Sequence, residues 1–465
     1  MIPWFQNRLE KDSSNSFIYY NNKSYSTSDL SGNIFSIQKV FSACDIRRQE
    51  RLIILLPNGI DIIEVILACF QSGVIAVPVS IKYTDSELNK IIKMIKPKSI
   101  ITNWEFSNRV NNLGNNVIAI EEFFSISRVC QNYNPINKIK KTDVAAIILT
   151  SGTTGIPKAV QLTYNNFESS CENWNRFLEF ENQDQFLCCL PLHHIGGLTV
   201  VVRALIYGFS INLADSFKSH LLYTIIKTHP ISIVSLVPTM LEKIINYSDG
   251  INILKSLRAI LLGGGPSSDE LLNICLKNNL NIVKTYGMTE TCSGIVGMWI
   301  QDEPSKKHFS GNPFKDVKIK IINKEIHIKG PMVMKGYLNE NNLNGYHNSK
   351  DFGWIENNNL YIEMRRKDLI VSGGENINPK EIESVLFKKN NIIDCAVIGI
   401  ADKKWGQKVI AFLTTLDNKK IPDKELILYL SKELSKYKIP KYFLFVDSIP
   451  RNEIGKVITK NLKLL

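Results

Sequence analysis

The chain has 465 residues, 44% hydrophobic and 22% charged, a balance typical of ordinary folded proteins and not of fibrous, disordered or membrane-embedded chains. Its formal charge of +12 is spread along the sequence without an arginine-rich stripe interleaved with aromatics, so we predict a basic solvated surface and no nucleic-acid partner. The nine cysteines are dispersed without zinc-site spacing, and we expect reduced thiols in a cytoplasmic protein that has no signal peptide and no membrane span.

Short apolar runs alternate with amphipathic segments through the first part of the chain. Strands are predicted at 51–56, 74–79, 99–101, 231–236 and 259–262, and helices at 60–72 and 85–95. Strands that alternate with helices form parallel sheets covered by helices. We therefore predict an α/β fold whose large N-terminal domain contains helix-covered, largely parallel sheets.

A polar loop follows the strand predicted at 145–149. It reads Thr150-Ser151-Gly152-Thr153-Thr154-Gly155-Ile156-Pro157-Lys158. Such a loop can surround an anion, because glycines let backbone N–H groups turn inward, the hydroxyls donate hydrogen bonds, and Lys158 adds a positive charge. The glycine spacing is not that of a P-loop. The alternative is a polar surface turn after a strand.

A histidine and an arginine stand out in the segment that follows the buried strand predicted at 186–191. His194 is either part of a pocket wall or a structural histidine of the core. Arg203 lies in the apolar run 200–206, and an arginine there needs an anionic partner. That partner is either a core acid or a second carboxylate on a substrate. Because Arg203 and Asn212 interrupt the longer apolar stretch 197–213, this stretch is not predicted to cross a membrane.

Two more motifs follow predicted strands. Gly263-Gly264-Gly265 permits a flat ligand to approach the backbone closely. Tyr286-Gly287-Met288-Thr289-Glu290 brings together an aromatic ring, a hydroxyl and a carboxylate, and a carboxylate beside phosphates suits Mg²⁺. For Glu290 the alternative is a solvated surface carboxylate.

The pattern of elements changes near residue 366. A charged joint at 365–368 is followed by predicted strands at 369–371, 395–400 and 442–446 and by predicted helices at 379–388 and 423–435. About one hundred residues of this kind form a small α+β domain. We therefore predict an N-terminal domain at 1–365 and a C-terminal domain at 366–465. The second domain contains, close to its end, the run Pro450-Arg451-Asn452-Glu453-Ile454-Gly455-Lys456.

These motifs together resemble the signatures of the adenylate-forming superfamily, the AMP-dependent synthetases and ligases, along nearly the whole chain. The resemblance implies that superfamily's fold, with a mobile C-terminal domain, and the activity of an ATP-dependent acid-CoA ligase. Such an enzyme forms an acyl adenylate from ATP and a carboxylic acid and then a thioester with coenzyme A. ATP, Mg²⁺, CoA and a small carboxylic acid are thus the implied partners, and a homo-oligomer is possible.

The resemblance also implies an ATP site. The loop from Thr150 to Gly155 would hold phosphates together with Lys158, and Gly263 to Gly265, Tyr286 and Gly287 would lie around the adenine. Thr289 would contact the α-phosphate and Glu290 would hold Mg²⁺. Asp351 and Arg365 match the two ribose contacts, although Ser349-Lys350 replaces the family's Thr-Gly before Asp351 and Met364 replaces a glycine before Arg365.

For the chemistry after ATP binding, the resemblance implies that Lys456 is the catalytic lysine and that Lys367 is the pivot between the domains. Gly373, Gly374 and Trp405 would line the CoA tunnel, and His194 and Arg203 would line the acid site, with His194 close to the reaction.

Within the superfamily, His194, Gly197 and Arg203 and the surrounding motifs look most like the o-succinylbenzoate-CoA ligases of menaquinone biosynthesis. Their substrate carries a second carboxylate, which gives an arginine in the pocket a partner. The alternatives are an aryl- or fatty-acid-CoA ligase for another substrate, and a non-catalytic nucleotide-binding paralogue.

Overall fold

The computed structural model describes residues 1–111, 116–129, 139–150, 157–265, 267–364, 369–416 and 419–450, together with Val457 and Leu462. They group into two compact units. The first comprises residues 1–81, 95–149 and 159–365, and the second comprises residues 82–94, 150–158 and 366–465. The predicted boundary at 365/366 assigns residues 82–94 to the N-terminal domain. In the structure this segment packs within the second unit, where Glu87 forms a buried ion pair with Lys438 at 2.5 Å.

Helices and strands alternate in residues 1–129, as predicted. The helices are α1 (Trp4–Lys11), α2 (Thr27–Ala43), α3 (Ile60–Ser72), α4 (Asp85–Ile95), α5 (Trp104–Asn111) and α6 (Phe123–Val129). The strands are β1 (Ser16–Tyr20), β2 (Lys23–Ser26), β3 (Arg51–Leu55), β4 (Ile75–Pro78), β5 (Ser99–Thr102) and β6 (Val117–Ala119). Local chemistry sets several of these limits: Ser26 and Asp29 form a capping box at the start of α2, and Gly73 ends α3 in the left-handed conformation.

The alternation continues through the middle of the chain. The helices are α7 (Tyr164–Leu178), α8 (Ile195–Tyr207), α9 (Ser219–Thr228), α10 (Pro238–Ile245), α11 (Gly250–Lys255) and α12 (Asp269–Lys277). The strands are β7 (Val144–Thr150), β8 (Lys158–Thr163), β9 (Gln185–Cys188), β10 (Ser210–Leu213), β11 (Ile233–Leu236), β12 (Ala259–Leu262), β13 (Ile282–Met288), β14 (Ser293–Trp299) and β15 (Asn312–Pro313). Most of these strands are buried on both faces, which explains why they read as continuous apolar runs.

Strands dominate the last part of the chain. They are β16 (Lys318–Ile322), β17 (Glu325–Lys329), β18 (Gly336–Tyr337), β19 (His347–Glu356), β20 (Asn359–Met364), β21 (Ile370–Ser372), β22 (Glu375–Ile377), β23 (Ile392–Asp402), β24 (Gly406–Thr415) and β25 (Tyr442–Phe445). The helices are α13 (Pro379–Leu386) and α14 (Asp423–Ser431). Helix α14 is shorter than the predicted 423–435, because the following residues turn so that the Ser435 hydroxyl donates to Glu87 at 2.6 Å.

The first unit contains three sheets. A nine-stranded sheet has the order β15-β14-β13-β12-β11-β9-β10-β1-β2, and its strands from β13 to β1 are parallel. A seven-stranded sheet has the order β18-β8-β7-β4-β3-β5-β6, in which β3 to β7 run parallel, and a smaller antiparallel sheet has the order β16-β17-β19-β20. This confirms the predicted α/β class with largely parallel sheets. The antiparallel sheet of β16, β17, β19 and β20 was not predicted.

The parallel strands position the candidate site. The carboxyl ends of β9, β11, β12 and β13 lie at one edge of the nine-stranded sheet, since neighbouring strands run in the same direction. His194, the glycines from Gly263 and the turn at Thr289 all follow these ends. The second unit, by itself, has β22-β21-β24-β23 in antiparallel order with β25 parallel to β24, and α13 and α14 contribute to its core.

No helix in the described part of the chain is both long enough and apolar enough to span a membrane.

Candidate active site

The strands β13 and β19 position the first pair of site residues, Tyr286 and Asp351. The Tyr286 hydroxyl donates to Oδ2 of Asp351 at 2.8 Å, and both side chains are buried, with 2% and 6% exposure. The backbone N–H of Asp351 donates to the Ser349 hydroxyl at 3.1 Å. Because Tyr286 is enclosed, little of its ring is available for contact with an adenine. Its hydroxyl orients the Asp351 carboxylate, which is predicted to accept hydrogen bonds from the ribose hydroxyls.

Thr289 and Glu290 lie in a short 3₁₀ turn directly after β13. The Glu290 side chain is 7% exposed, so the surface-carboxylate alternative does not describe it. Its Oε1 accepts a hydrogen bond from the Tyr337 hydroxyl at 2.8 Å, and its carbonyl accepts one from the N–H of Met334 at 2.8 Å. At the start of this turn Gly287 is required, because an added Cβ would collide with the carbonyl oxygen of Ser293.

Glu290 fits the way in which proteins hold Mg²⁺ beside a nucleotide. Mg²⁺ is usually bound by one or two carboxylates together with phosphate oxygens and waters, and not by a cage of protein ligands. Over the described ranges, no group of three or more His, Cys, Asp or Glu side chains is arranged to hold a metal ion. The single buried carboxylate of Glu290, with one oxygen already hydrogen-bonded, agrees with a metal ion that binds together with its nucleotide.

Arg203 lies on α8 and is 2% exposed. One guanidinium nitrogen donates to the Ser293 hydroxyl at 3.0 Å, and the guanidinium lies 5.0 Å from the centre of the Trp174 ring. Its Nε has no hydrogen-bond partner among the residues that the structure describes. Burial lowers the pKa of Arg203 below its usual value.

In the described part of the chain, the buried guanidinium of Arg203 has polar and aromatic neighbours but no anionic partner. Among the residues that the structure describes, no carboxylate forms an ion pair with it. The core acid that the sequence left open as its partner is absent from these residues. An unpaired buried charge is costly, so this position favours an anion from outside the chain.

His194 immediately precedes α8, at the same edge of the sheet. Its carbonyl accepts the N–H groups of Gly197 and Leu198 at 3.1 Å each, and its ring lies 4.4 Å from the ring of His193. The side chain is partly exposed, unlike a histidine of the hydrophobic core. The backbone at Gly197 packs too closely against the carbonyl oxygens of Leu190 and Pro191 to admit a side chain, which fixes the turn that presents His194.

The predicted nucleotide glycines Gly263, Gly264 and Gly265 follow β12, beside the turn that holds Glu290. Thr150 ends β7 and Lys158 begins β8, and both are partly exposed. The other members of the predicted phosphate, ribose, pivot and catalytic sets lie outside the described residues. These are Ser151, Gly152, Thr153, Thr154, Gly155, Arg365, Lys367 and Lys456.

In the second unit, the predicted CoA residues come together. Gly373 and Gly374 form the turn between β21 and β22, with φ angles of 62° and 89°. The N–H of Gly373 donates to the carbonyl of Trp405 at 2.8 Å, and a Cβ at Gly373 would lie 3.0 Å from the Trp405 ring. The tryptophan thus packs directly on the glycine turn.

Sequence reasoning missed three residues of the site: Tyr337, Ser293 and Trp174. Tyr337 belongs to a two-residue strand whose partner, Val160, lies far away in the chain, so no local periodicity marks it. Ser293 has a φ angle of 101°, which a sequence motif gives no reason to expect. Only Trp174 had a usable signal, a large aromatic on the amphipathic helix α7.

Comparison with known proteins agrees with this geometry. Residues 5–338 match the family model for AMP-binding enzymes, and residues 381–456 match that for the AMP-binding enzyme C-terminal domain. The 2-succinylbenzoate–CoA ligase of Bacillus mycoides is 31% identical over 455 residues, which cover 92% of each chain.

Solved structures give the same result. A double mutant of o-succinylbenzoate CoA synthetase from Bacillus subtilis, bound to a product analogue, has a TM-score of 0.94 at 31% identity, over 100% of this chain and 99% of that one. The enzyme from the same organism in complex with ATP and a magnesium ion has a TM-score of 0.73 at 30% identity, over 99% of both chains. The chain therefore belongs to the AMP-binding enzyme family, the adenylate-forming ligases that its motifs indicated.

Proposed function

We propose that the enzyme is a 2-succinylbenzoate–CoA ligase of menaquinone biosynthesis. It uses ATP to join 2-succinylbenzoate to CoA and releases AMP and pyrophosphate. The observation that carries the choice of acid is Arg203, a buried guanidinium without a carboxylate partner among the described residues. 2-Succinylbenzoate has a carboxylate on its aromatic ring in addition to the succinyl carboxylate that is activated. Arg203 binds this ring carboxylate. Hydrogen bonds between a guanidinium and a carboxylate are strong, and the buried position of Arg203 excludes competing water.

In the first reaction, a succinyl carboxylate oxygen attacks the α-phosphorus of ATP, and the bond to pyrophosphate breaks. Asp351, oriented by Tyr286, binds the ribose hydroxyls, and Thr289 contacts the α-phosphate. Glu290 holds the Mg²⁺ that accompanies ATP, and the metal supplies neutralisation of phosphate charge. Lys456 and the loop from Thr150 to Lys158 bind the phosphate oxygens on which negative charge accumulates, and His194 lies beside the acid.

In the second reaction, the CoA sulfur attacks the carbonyl carbon of the adenylate. The bond from that carbon to the AMP oxygen breaks, the thiol proton passes to solvent, and AMP leaves. The turn at Gly373 and Gly374, covered by Trp405, guides the thin pantetheine arm of CoA. We assign the ATP and acid sites to the domain at 1–365, and Lys456 and the CoA turn to the domain at 366–465, which turns about Lys367 between the two reactions.

A cytoplasmic location goes with this assignment. ATP and CoA are cytoplasmic substrates, and the eight cysteines in the described ranges are free thiols.

The test is a coupled assay of AMP release with 2-succinylbenzoate, benzoate and octanoate as alternative acids. We expect kcat/KM for 2-succinylbenzoate to exceed the other two by about 100-fold or more, because only this acid supplies the anion that Arg203 lacks. Equal turnover of octanoate would contradict the assignment of the substrate while leaving the ligase chemistry intact.

A further inference from the structure

Among the described residues, Tyr337 is the side chain that donates a hydrogen bond to the Glu290 carboxylate. Its hydroxyl lies 2.8 Å from Oε1, and Glu290 is 7% exposed. A carboxylate has two oxygens and about four acceptor positions, so this bond engages one oxygen and leaves the other to a cation. The bond also selects one rotation of the carboxylate about its terminal torsion, which is otherwise soft.

The backbone that carries Tyr337 is held at both sides. The N–H of Met334 donates to the Glu290 carbonyl at 2.8 Å, and the N–H groups of Lys335 and Leu338 donate to the carbonyls of Gln161 and Ala159 at 3.0 and 2.8 Å. The short segment 334–338 therefore connects the turn at Glu290 to β8. This strand begins at Lys158, where the predicted phosphate loop ends. These bonds hold the backbone of Tyr337 in place, so its hydroxyl can orient the Glu290 carboxylate.

We propose that Tyr337 is a positioning residue for the metal: its hydroxyl holds the Glu290 carboxylate in the orientation that receives Mg²⁺ on ATP. This rests on the proposed role of Glu290. A donor behind a metal-binding carboxylate pre-orients it, and loss of such a donor commonly weakens metal affinity by about 10- to 100-fold. This role does not require Tyr337 itself to contact metal or substrate.

The test compares the binding of a non-cleavable ATP analogue, α,β-methylene-ATP, in excess Mg²⁺ and in EDTA by isothermal titration calorimetry. In the native enzyme, Mg²⁺ tightens binding through Glu290. In Tyr337→Phe, we expect this tightening to fall by about tenfold while the Kd in EDTA stays unchanged. In steady-state assays, the same variant should need about tenfold more Mg²⁺ for half-maximal rate and should recover most of kcat at saturating Mg²⁺.

Two further variants separate the possible failures. Glu290→Gln should abolish the tightening by Mg²⁺, and adding Tyr337→Phe to it should have no further effect. If Glu290→Gln binds the analogue as the native enzyme does, the metal role of Glu290 is wrong. If Glu290→Gln loses the tightening and Tyr337→Phe keeps it, or if Tyr337→Phe weakens binding equally in EDTA, the positioning role is wrong. Tyr361→Phe, which removes the hydroxyl from a tyrosine stacked on Trp354, is the matched control and should behave as native.

Discussion

Lys350 stands where the family usually has a glycine, directly before Asp351, the aspartate proposed to bind the ribose. Its φ angle is 64°, in the left-handed region that favours glycine. We expect Lys350→Gly to raise the free energy of unfolding by about 1 kcal/mol, because the strained conformation then costs less. Thermal unfolding measures the change, and the KM for ATP should stay the same because Asp351 keeps its contacts.

The control for this prediction is Lys350→Ala, which removes the same side chain but keeps a Cβ. The ion pair from Lys350 to Glu325 is 3.8 Å long and largely exposed, so its loss contributes little. Lys350→Ala should therefore not gain stability. An equal gain in both variants would show that the side chain, and not the backbone conformation, is responsible.

Arg203 provides the sharpest residue-scale prediction about substrate choice. Arg203→Met replaces the aliphatic stem of the side chain with an unbranched apolar chain and removes the charged guanidinium. We expect kcat/KM for 2-succinylbenzoate to fall by about 30- to 1000-fold, equivalent to about 2–4 kcal/mol, because the ring carboxylate loses its partner in a desolvated site. The free energy of unfolding should stay the same or rise, since a buried unpaired charge is removed. Steady-state kinetics and thermal unfolding of the same preparation measure both changes.

The matched comparison for Arg203 is between two acids. 3-Benzoylpropionate keeps the succinyl arm but lacks the ring carboxylate, so its kcat/KM should be nearly the same in the native enzyme and in Arg203→Met. A parallel fall for both acids would mean that Arg203 supports the fold of the pocket and does not bind the second carboxylate.

At the scale of elements, the contact between α2 and α3 should make stability depend on pH. Glu64 on α3 is 6% exposed and accepts a hydrogen bond from Asn33 on α2 at 2.9 Å. Burial raises the pKa of Glu64 from 4.5 to about 7, and the neighbouring Asp61 adds to the increase. The stabilising contribution of the protonated form is complete below the unfolded-state pKa of 4.5 and is lost as the pH rises through about 7.

Glu64→Gln tests this element contact, because glutamine cannot ionise and still accepts the hydrogen bond of Asn33. At about pH 5 the variant and the native enzyme should have similar stability, and at about pH 8 the variant should be more stable by at most about 3 kcal/mol. Urea unfolding at both pH values measures the difference. A constant difference across the range would mean that Glu64 does not titrate between them.

The elements also mark what the sequence can predict. The limits of α3 follow from local signals, an Asn-Gly turn before it and Gly73 after it, and the prediction of 60–72 is confirmed. The strand β23 runs from Ile392 to Asp402, longer than the predicted 395–400, because its partner β24 offers ten residues to pair with. Long-range pairing has no local signature. For the same reason, Glu290 was found from its motif, whereas its partner Tyr337 was found only in the structure.

For the whole molecule, the central prediction is that two reactions depend on different parts of the chain. The acyl adenylate is the product of the first reaction and the substrate of the second. The proposed adenylation residues Glu290, Asp351 and Lys456 are drawn from both predicted domains, whereas the proposed CoA turn at Gly373 belongs to the C-terminal domain alone. Single substitutions should therefore impair one reaction and spare the other.

Lys456→Ala and Gly373→Ala form a reciprocal pair for this test. Lys456→Ala should slow adenylation by at least about 100-fold, because charge on the phosphate oxygens loses its counterion, yet it should convert supplied acyl adenylate and CoA to the thioester.

Gly373→Ala should spare adenylation and slow thioester formation by about tenfold or more. The φ angle of 62° at this position disfavours alanine, and the new Cβ would lie 3.0 Å from the Trp405 ring, so the substitution disturbs the CoA turn. Pyrophosphate exchange reports the first reaction, and thioester formation from synthetic adenylate reports the second. If either variant slows both reactions equally, the assignment of Lys456 to adenylation and of the glycine turn to thioester formation is wrong.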